Sequence, residues 1–439
     1  MLKSLKQNVL LKVVSFNSIS VAVSFVLGIF ATKIVSIYLG TSGMALLGSF
    51  RNFTAMMKSV ATLGINNSFI KLFVENKDDK EELGVIYATF FWFFLIVSTV
   101  LALFILVFAN SISEFLFFTN SFANHIRFFG LLLPLIVINT FWMAIYNALE
   151  KYKKIVILQI ISNVLIFGFT AFLIVNKAIN GGLLAVVLGE LLMVLVTFAF
   201  VLKDKSYYFT FSFRKILKKK YLNVIKKFSS MALLSAVIAP ATLMLIRNFI
   251  IETHSIQEAG IWDATNKFSS FYMLIFSSGL SLYYMPKLAS LTTDEAFKVE
   301  LKSYFKVFVP LFLTALIAVF FLKGIILDMA FTAAFSKVNE VLIWQLLGDF
   351  LRIMTLAFGY QIVVKAHIKK YFILEIVFNA SYLLLCFYLV PLFSFEGALQ
   401  AYFCANLILF ILILWMFRKL FWSSIVETRY IDTKNKTHL

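Results

Sequence analysis

Residues that carry chemistry are scarce in this chain. It has four histidines, two cysteines and five prolines among 439 residues, and 14% of its side chains are charged, whereas a soluble domain averages about 25%. Each shortage excludes something. No Gly-x-x-x-x-Gly-Lys-Ser/Thr loop occurs, so no nucleotide-driven motor is written into the sequence. No set of His, Cys, Asp and Glu has metal-ligand spacing. His125, His254, His367 and His438 fall at loops or ends, where solvation accounts for them. No Ser-His-Asp pattern is present. The expectation is a protein that is not an enzyme and needs no cofactor. Cys386 and Cys404 both lie in apolar segments and give no disulfide framework.

Apolar side chains fill the space that chemistry leaves. Hydrophobic residues make up 61% of the chain, with 52 phenylalanines. A soluble core cannot hide that much apolar surface, but lipid can. A membrane-crossing helix needs about 20 apolar residues. Apolar runs predict about twelve spans, at 12–38, 43–70, 83–109, 125–149, 155–176, 183–202, 228–251, 259–285, 303–322, 338–364, 371–391 and 397–417. The run from Ser15 to Leu39 is too long for a signal peptide and has no small-x-small cleavage site, so it reads as the first span. The fold class expected is an all-α membrane protein.

The net charge of +18 suggests nucleic acid in a soluble protein. Its distribution gives another reason. With the N-terminus on the cytoplasmic side, 29 of the 40 Lys and Arg fall in cytoplasmic segments. Only Arg127, Lys177, Lys323 and Lys337 fall on the opposite side. That is the positive-inside bias of a membrane protein with both termini inside, and no nucleic acid is required. The densest cluster, RKILKKKYLNVIKK at 214–227, reads as a basic cytoplasmic linker on the membrane surface. The expected organisation is a six-helix bundle over 1–205, the linker over 206–227, a second six-helix bundle over 228–420 and a cytoplasmic tail over 421–439.

The two halves repeat one another. At an offset of 216 residues Lys153-Lys154 falls on Lys369-Lys370, Ile160 on Ile376, Asn163 on Asn379, Gly181 on Gly397, Leu183 on Leu399 and Ala185 on Ala401. The same register puts Arg51 on Lys267. The charged loop KDDKEE at 77–82 matches TTDEAFK at 292–298 after a small shift. Six spans per half give both repeats the same orientation, the parallel arrangement found among secondary transporters.

Charges inside spans cost about 3 kcal/mol each at the helix centre, so they face a cavity or a partner. Lys33, Arg51, Lys58, Arg247, Lys267, Lys306 and Arg352 are the cations in that position. Lys306 begins a span and can snorkel to the interface. Lys33, Arg51, Arg247 and Lys267 come out roughly 8–12 Å below the outer surface at ~1.5 Å per residue. Lys58 follows Arg51 on the same helical face, deeper. Asp263 is spaced to pair with Lys267, and Asp349 with Arg352. Glu190 is an acid that offsets a cation on another helix. The excess is positive, and an anion is its natural ligand. Arg offers bidentate bonds to phosphate and Lys a mobile point charge. Pro134, Pro240, Gly64 and Gly279 lie in or near spans and permit kinks.

Long stretches then resemble a known family. They are AGIWDATNKFSSFYMLIFSSGLSLYYMPKLASL at 259–291, IWQLLGDFLRIMTLAFGYQIVVKA at 343–366, LGTSGMALLGSFRNF at 39–53 and TLGINNSFIKL at 62–72. They are similar to the Wzx-type flippases of O-antigen and enterobacterial common antigen (lipid III), in the multidrug/oligosaccharidyl-lipid/polysaccharide exporter superfamily. The resemblance covers essentially the whole chain. It implies two six-helix bundles in a V-shaped molecule of the bacterial inner membrane, with a central cationic cavity. It also implies an undecaprenyl-pyrophosphate-linked oligosaccharide as substrate, carried to the periplasmic leaflet by alternating access. In that reading Lys33, Arg51, Lys58, Arg247 and Lys267 bind the pyrophosphate and glycan, and Trp262 and Tyr272 stack on sugars. Asp263, Asp349 and Glu190 are candidates for coupling to a proton or sodium gradient, with Asp349 and Arg352 also readable as a structural pair. Polymerase and chain-length proteins of the pathway are the partners implied, besides membrane lipid.

Two other readings stay open at this point. A drug or cation exporter of the same superfamily would place acids in its cavity. A membrane-embedded glycan polymerase or transferase would carry a large outer loop or clustered acids, whereas the longest outer connections here, 110–124 and 323–337, are short and apolar.

Overall fold

The structure, a computed structural model, describes residues 9–62, 65–204, 219–365 and 367–420. Gly64, most of the linker at 206–218 and the tail at 421–439 lie outside them. Among the described residues the elements are all helical. They are α1 (Val9–Thr62), α2 (Ile65–Glu75), α3 (Lys80–Val107), α4 (Ala109–Phe117), α5 (Ala123–Ala148), α6 (Tyr152–Lys203), α7 (Lys219–Thr253), α8 (Ile256–Gly279), α9 (Met285–Ser290), α10 (Asp294–Ser303), α11 (Val309–Ala330), α12 (Lys337–Val364) and α13 (Ile368–Met416). Residues 219–227, assigned to the linker from charge, are the opening turns of α7.

Eight helical stretches among the described residues are long and apolar enough to cross a membrane. Three of them, of 44, 52 and 49 residues, are about twice the length a bilayer needs. Each is broken at one residue: Gly40 in α1, Ala178 in α6 and Ser394 in α13. The sequence predicts short loops at 38–43, 176–183 and 391–397. The chain instead turns at a single residue of positive φ and resumes helix at once. Gly40 adopts φ 62° without a Cβ penalty, but Ala178 at 46° and Ser394 at 56° carry strain.

The breaks reproduce the repeat. Ala178 and Ser394 stand at the 216-residue offset, and so do Gly181 and Gly397 behind them. A Cβ on Gly181 would collide with the Leu173 carbonyl, and one on Gly397 with the Leu389 carbonyl, which is the same contact in each half. The two charged loops are also equivalent, because each caps a helix. Asp79 accepts from the Glu82 amide at the start of α3, and Thr293 from the Ala296 amide at the start of α10.

By packing, the described residues up to 264, joined by 327–337, form one compact unit, and 265–326 with 338 onward form a second. This partition differs from the sequence-repeat boundaries at 205 and 228. In the first unit α1 lies along α6 and α7, while α5 is held between α3 and α6. Phe69 meets Tyr87, Phe90 and Phe141 edge-on at 5.2–5.4 Å between ring centres. Large apolar side chains cover the outside: Val107 is 75% exposed and Phe321 79%. Lipid is the solvent that such a surface requires. The chain is a multi-pass membrane protein.

In the second unit two π-helical turns, Leu280–Tyr284 and Tyr304–Phe308, lie against α12. Tyr284 and Tyr304 touch at 4.8 Å between ring centres. Their hydroxyls donate to the Ala357 and Ile353 carbonyls of α12. The kink expected near Gly279 is a π turn that starts at the next residue.

Candidate functional site

A cavity of about 290 Å³ opens in the first unit, between the second part of α1 and both parts of α6. Arg51, Thr54 and Lys58 line it from α1, and Thr170 and Glu190 from α6, among apolar side chains and Gly182 and Gly189. The break at Gly40 sets its level. Helix resumes without a loop, so Arg51 lies about eleven residues, or ~16 Å, along the axis from the break. That is deeper than the 8–12 Å expected, and near the middle of a ~30 Å hydrocarbon core. Glu190 is about as far from the Ala178 break. The two breaks are neighbours, because Gly182 lies against Leu39.

Lys58 Nζ and Glu190 Oε1 form an ion pair at 2.5 Å, with side chains 32% and 23% exposed. Glu190 thus offsets a cation across helices, as expected. Arg51 is exposed into the cavity. Asp263 is its electrostatic partner, and the two form no ion pair within 4 Å among the described residues. Arg51 and Lys58 are therefore brought to one cavity, as their spacing of seven residues predicts.

Arg247 is placed differently. It is 1% exposed. Its Nε and Nη2 donate to the Asp263 carboxylate at 2.5 and 2.6 Å, its Nη1 to Ser49 Oγ at 3.4 Å, and the Trp262 ring lies 5.5 Å from its guanidinium carbon. A bidentate, sealed pair of this kind leaves no donor open to a ligand. It also corrects the expected partner of Asp263, which faces Arg247 rather than Lys267. The pairing was readable from the hairpin: Arg247 and Asp263 stand at similar distances on either side of the turn at 254–255, which brings them opposite. Gly48 makes room for them. A Cβ there would come within 2.6 Å of Asp263 Oδ2 and 3.0 Å of Arg247 Nη2.

Lys33 is also engaged. Its Nζ donates to the Asp328 and Phe331 carbonyls at 2.6 and 2.5 Å. These carbonyls end α11, where helical partners run out and a cation is favoured. Next to them, Ser36 Oγ accepts from the Thr332 amide at 2.7 Å. The connection after α11, read from the sequence as short and apolar, is fastened to α1 by these bonds.

In the second unit Asp349 is fully buried. It accepts from the hydroxyls of Ser269 at 2.6 Å, Tyr272 at 2.5 Å and Tyr402 at 2.8 Å. Arg352 has Tyr402 and Asp349 as electrostatic partners, in line with a structural pair. Lys267 lies 5.5 Å from the centre of the Phe271 ring. The assignment of Trp262 and Tyr272 to sugar stacking does not survive their surroundings. Trp262 is 0% exposed under Arg247, and Tyr272 is 7% exposed with its hydroxyl committed to Asp349. Neither ring has a face open to a glycan. Among the described residues no cluster of three or more metal-ligating side chains occurs.

The comparisons with known proteins agree with this architecture. Residues 43–340 match a family model described as polysaccharide biosynthesis protein. The chain is 24% identical to the lipid III flippase of Escherichia coli (strain K12) over 396 residues, 87% of this chain and 92% of that one. The match to the lipid III flippase of Shigella flexneri has the same extent. Among solved structures, the inward closed conformation of the lipid II flippase MurJ is similar with a TM-score of 0.75 at 17% identity, over 92% of this chain and 87% of that one. An inward-facing multidrug resistance transporter of the MATE family, in the MOP superfamily, is similar with a TM-score of 0.72 at 14% identity, over 92% and 96%.

Proposed function

Since the chain belongs to the polysaccharide biosynthesis protein family, we propose that it is a flippase that carries an undecaprenyl-pyrophosphate-linked oligosaccharide from the cytoplasmic to the periplasmic leaflet of a bacterial inner membrane. It works by alternating access, with twelve spans in two parallel halves and both termini cytoplasmic. The observation that carries the reading is the cationic cavity at mid-membrane depth. A diphosphate is the part of such a lipid that most needs cations in a low-dielectric setting, while the polyprenyl chain can remain in lipid.

Arg51 is the first contact for the phosphates, with its five donors and its exposed position. Lys58 is the second. Lys267, the repeat counterpart of Arg51, has the same role in the second half. Arg247 and Lys33 act on the site indirectly, by holding helices in place. Glu190 is the acid best placed for coupling to a proton or sodium gradient, because Asp263 and Asp349 are held in buried bonds. Ion pairing speaks against the drug or cation exporter: Asp263 serves Arg247 and Glu190 serves Lys58, each a cation of the protein itself.

The test uses purified protein in liposomes with a fluorescent polyprenyl-diphosphate glycan. Wild-type protein should move the lipid between leaflets without changing its glycan length. Arg51→Glu should insert normally and lose that movement by about 100-fold or more, since it reverses a charge that the phosphates meet. Full activity in a well-folded Arg51→Glu protein would remove Arg51 from the site. A lengthened glycan would point instead to a polymerase.

A further inference from the structure

The Lys58–Glu190 pair differs from the Arg247–Asp263 pair of the same unit. Arg247 and Asp263 are sealed, at 2% and 10% side-chain exposure, and joined by two bonds. Lys58 and Glu190 share one contact at 2.5 Å, keep 32% and 23% exposure, and stand in the wall of a cavity. A structural pair gains from being sealed and doubly bonded. A pair meant to open does not.

We propose that Glu190 is an internal stand-in for the diphosphate of the ligand: it neutralises Lys58 while the cavity is empty and is displaced when phosphate oxygens arrive through Arg51. This rests on the flippase reading for the cavity as an anion site, and adds to it a residue that sets how tightly the anion is held. An unpaired ammonium deep in the membrane is costly, so Lys58 needs a partner between substrates. A carboxylate offers one negative charge. A diphosphate offers more charge and more acceptor oxygens, so it wins Lys58 on entry. The displaced Glu190 then stands beside an anion of its own sign. That repulsion limits affinity and favours release, which a carrier needs as much as binding. The groups that face Glu190 in the cavity wall are Lys58, from α1, and Arg51 one level nearer the break. Thr170 adds a neutral hydroxyl to the wall, while the Thr54 hydroxyl donates to the Arg51 carbonyl of its own helix.

Binding of inorganic pyrophosphate and of farnesyl diphosphate to the full chain in nanodiscs, by titration calorimetry, tests this. Glu190→Gln keeps the side chain's shape and removes its charge. It should tighten binding of both probes about three- to tenfold, the scale of a partly exposed ion pair, and slow their dissociation. In a Lys58→Met background the same change should have no effect, because nothing is left to compete for. Arg51→Gln should weaken binding with or without Glu190. Should Glu190→Gln fold poorly, Glu190→Asp withdraws the carboxylate from Lys58 and should give a smaller gain. Unchanged or weaker binding in both Glu190 variants, with wild-type binding intact and sensitive to Arg51, overturns the stand-in role and leaves the flippase reading in place. Wild-type protein that binds neither probe overturns the flippase reading itself. Tighter binding of farnesyl diphosphate than of pyrophosphate supports a lipid as the source of the headgroup, and equal binding overturns that source in favour of a free diphosphate.

Discussion

Asp263 takes two bonds from the buried Arg247 guanidinium and also attracts Arg51. Removing either member of such a pair leaves a buried charge without compensation. Arg247→Met should therefore lower stability by about 3–5 kcal/mol, read as apparent unfolding free energy in detergent. Adding Asp263→Asn to it should restore much of the loss. A double variant as unstable as the single one would mean that Asp263 does not need Arg247. The residue types that charge placement singled out were the right ones to question, because a charge inside a span always has a reason. Which reason could not be read in one dimension. Arg51 and Lys58 share a helix, so their common face followed from spacing alone. Lys33, Arg247, Trp262 and Tyr272 depend on partners from other segments, and these convert two expected ligands for phosphate and two for sugar into supports of the fold.

At the scale of elements, the positive-φ breaks at Gly40, Ala178 and Ser394 do the work assigned to loops. Ala178 and Ser394 are strained in that conformation, and glycine is not. Ala178→Gly and Ser394→Gly should each raise the apparent melting temperature, by roughly 1 kcal/mol of relieved strain. Gly181→Ala and Gly397→Ala should each lower it, because the new methyl meets a helical carbonyl. The same behaviour at equivalent positions of the two halves is the expected outcome. A gain at one position with a loss at its counterpart would contradict the repeat. The ends of other elements are also tied. Lys151 and Lys154 both reach Asp204 at the end of α6, at 2.9 and 2.5 Å, so part of the basic charge counted as topology signal also fastens a helix end. Apolar length and loop charge located the helices well. They could not show that a loop had shrunk to one residue, since a dihedral angle leaves no composition signal.

At the scale of the whole molecule, the charge bias carries the orientation and can be checked without transport. A fluorescent protein fused after Leu439 should be bright and an alkaline phosphatase fused there inactive, as for a cytoplasmic terminus. In a cysteine-free background, a cysteine at Lys177 should react with an impermeant maleimide from outside the cell, and one at Lys203 should not. Labelling of both from outside would reverse or break the twelve-span reading. The packing partition sets a second expectation at this scale. Connection 327–337 groups with the first unit although it follows α11 in the chain, and Lys33 and Ser36 are the residues that hold it there.

By itself the sequence determined that this is a helical membrane protein with an internal repeat and an excess of cations within its spans. These follow from composition, from apolar run length and from charge counted along the chain, all of them local or periodic quantities. The tertiary structure decided which cations remain open to a ligand. Burial and pairing are properties of distance between segments remote in sequence. They sealed Arg247 with Asp263, gave Lys33 to the end of α11, committed Tyr272 to Asp349, and left Arg51 with the Lys58–Glu190 pair around one cavity.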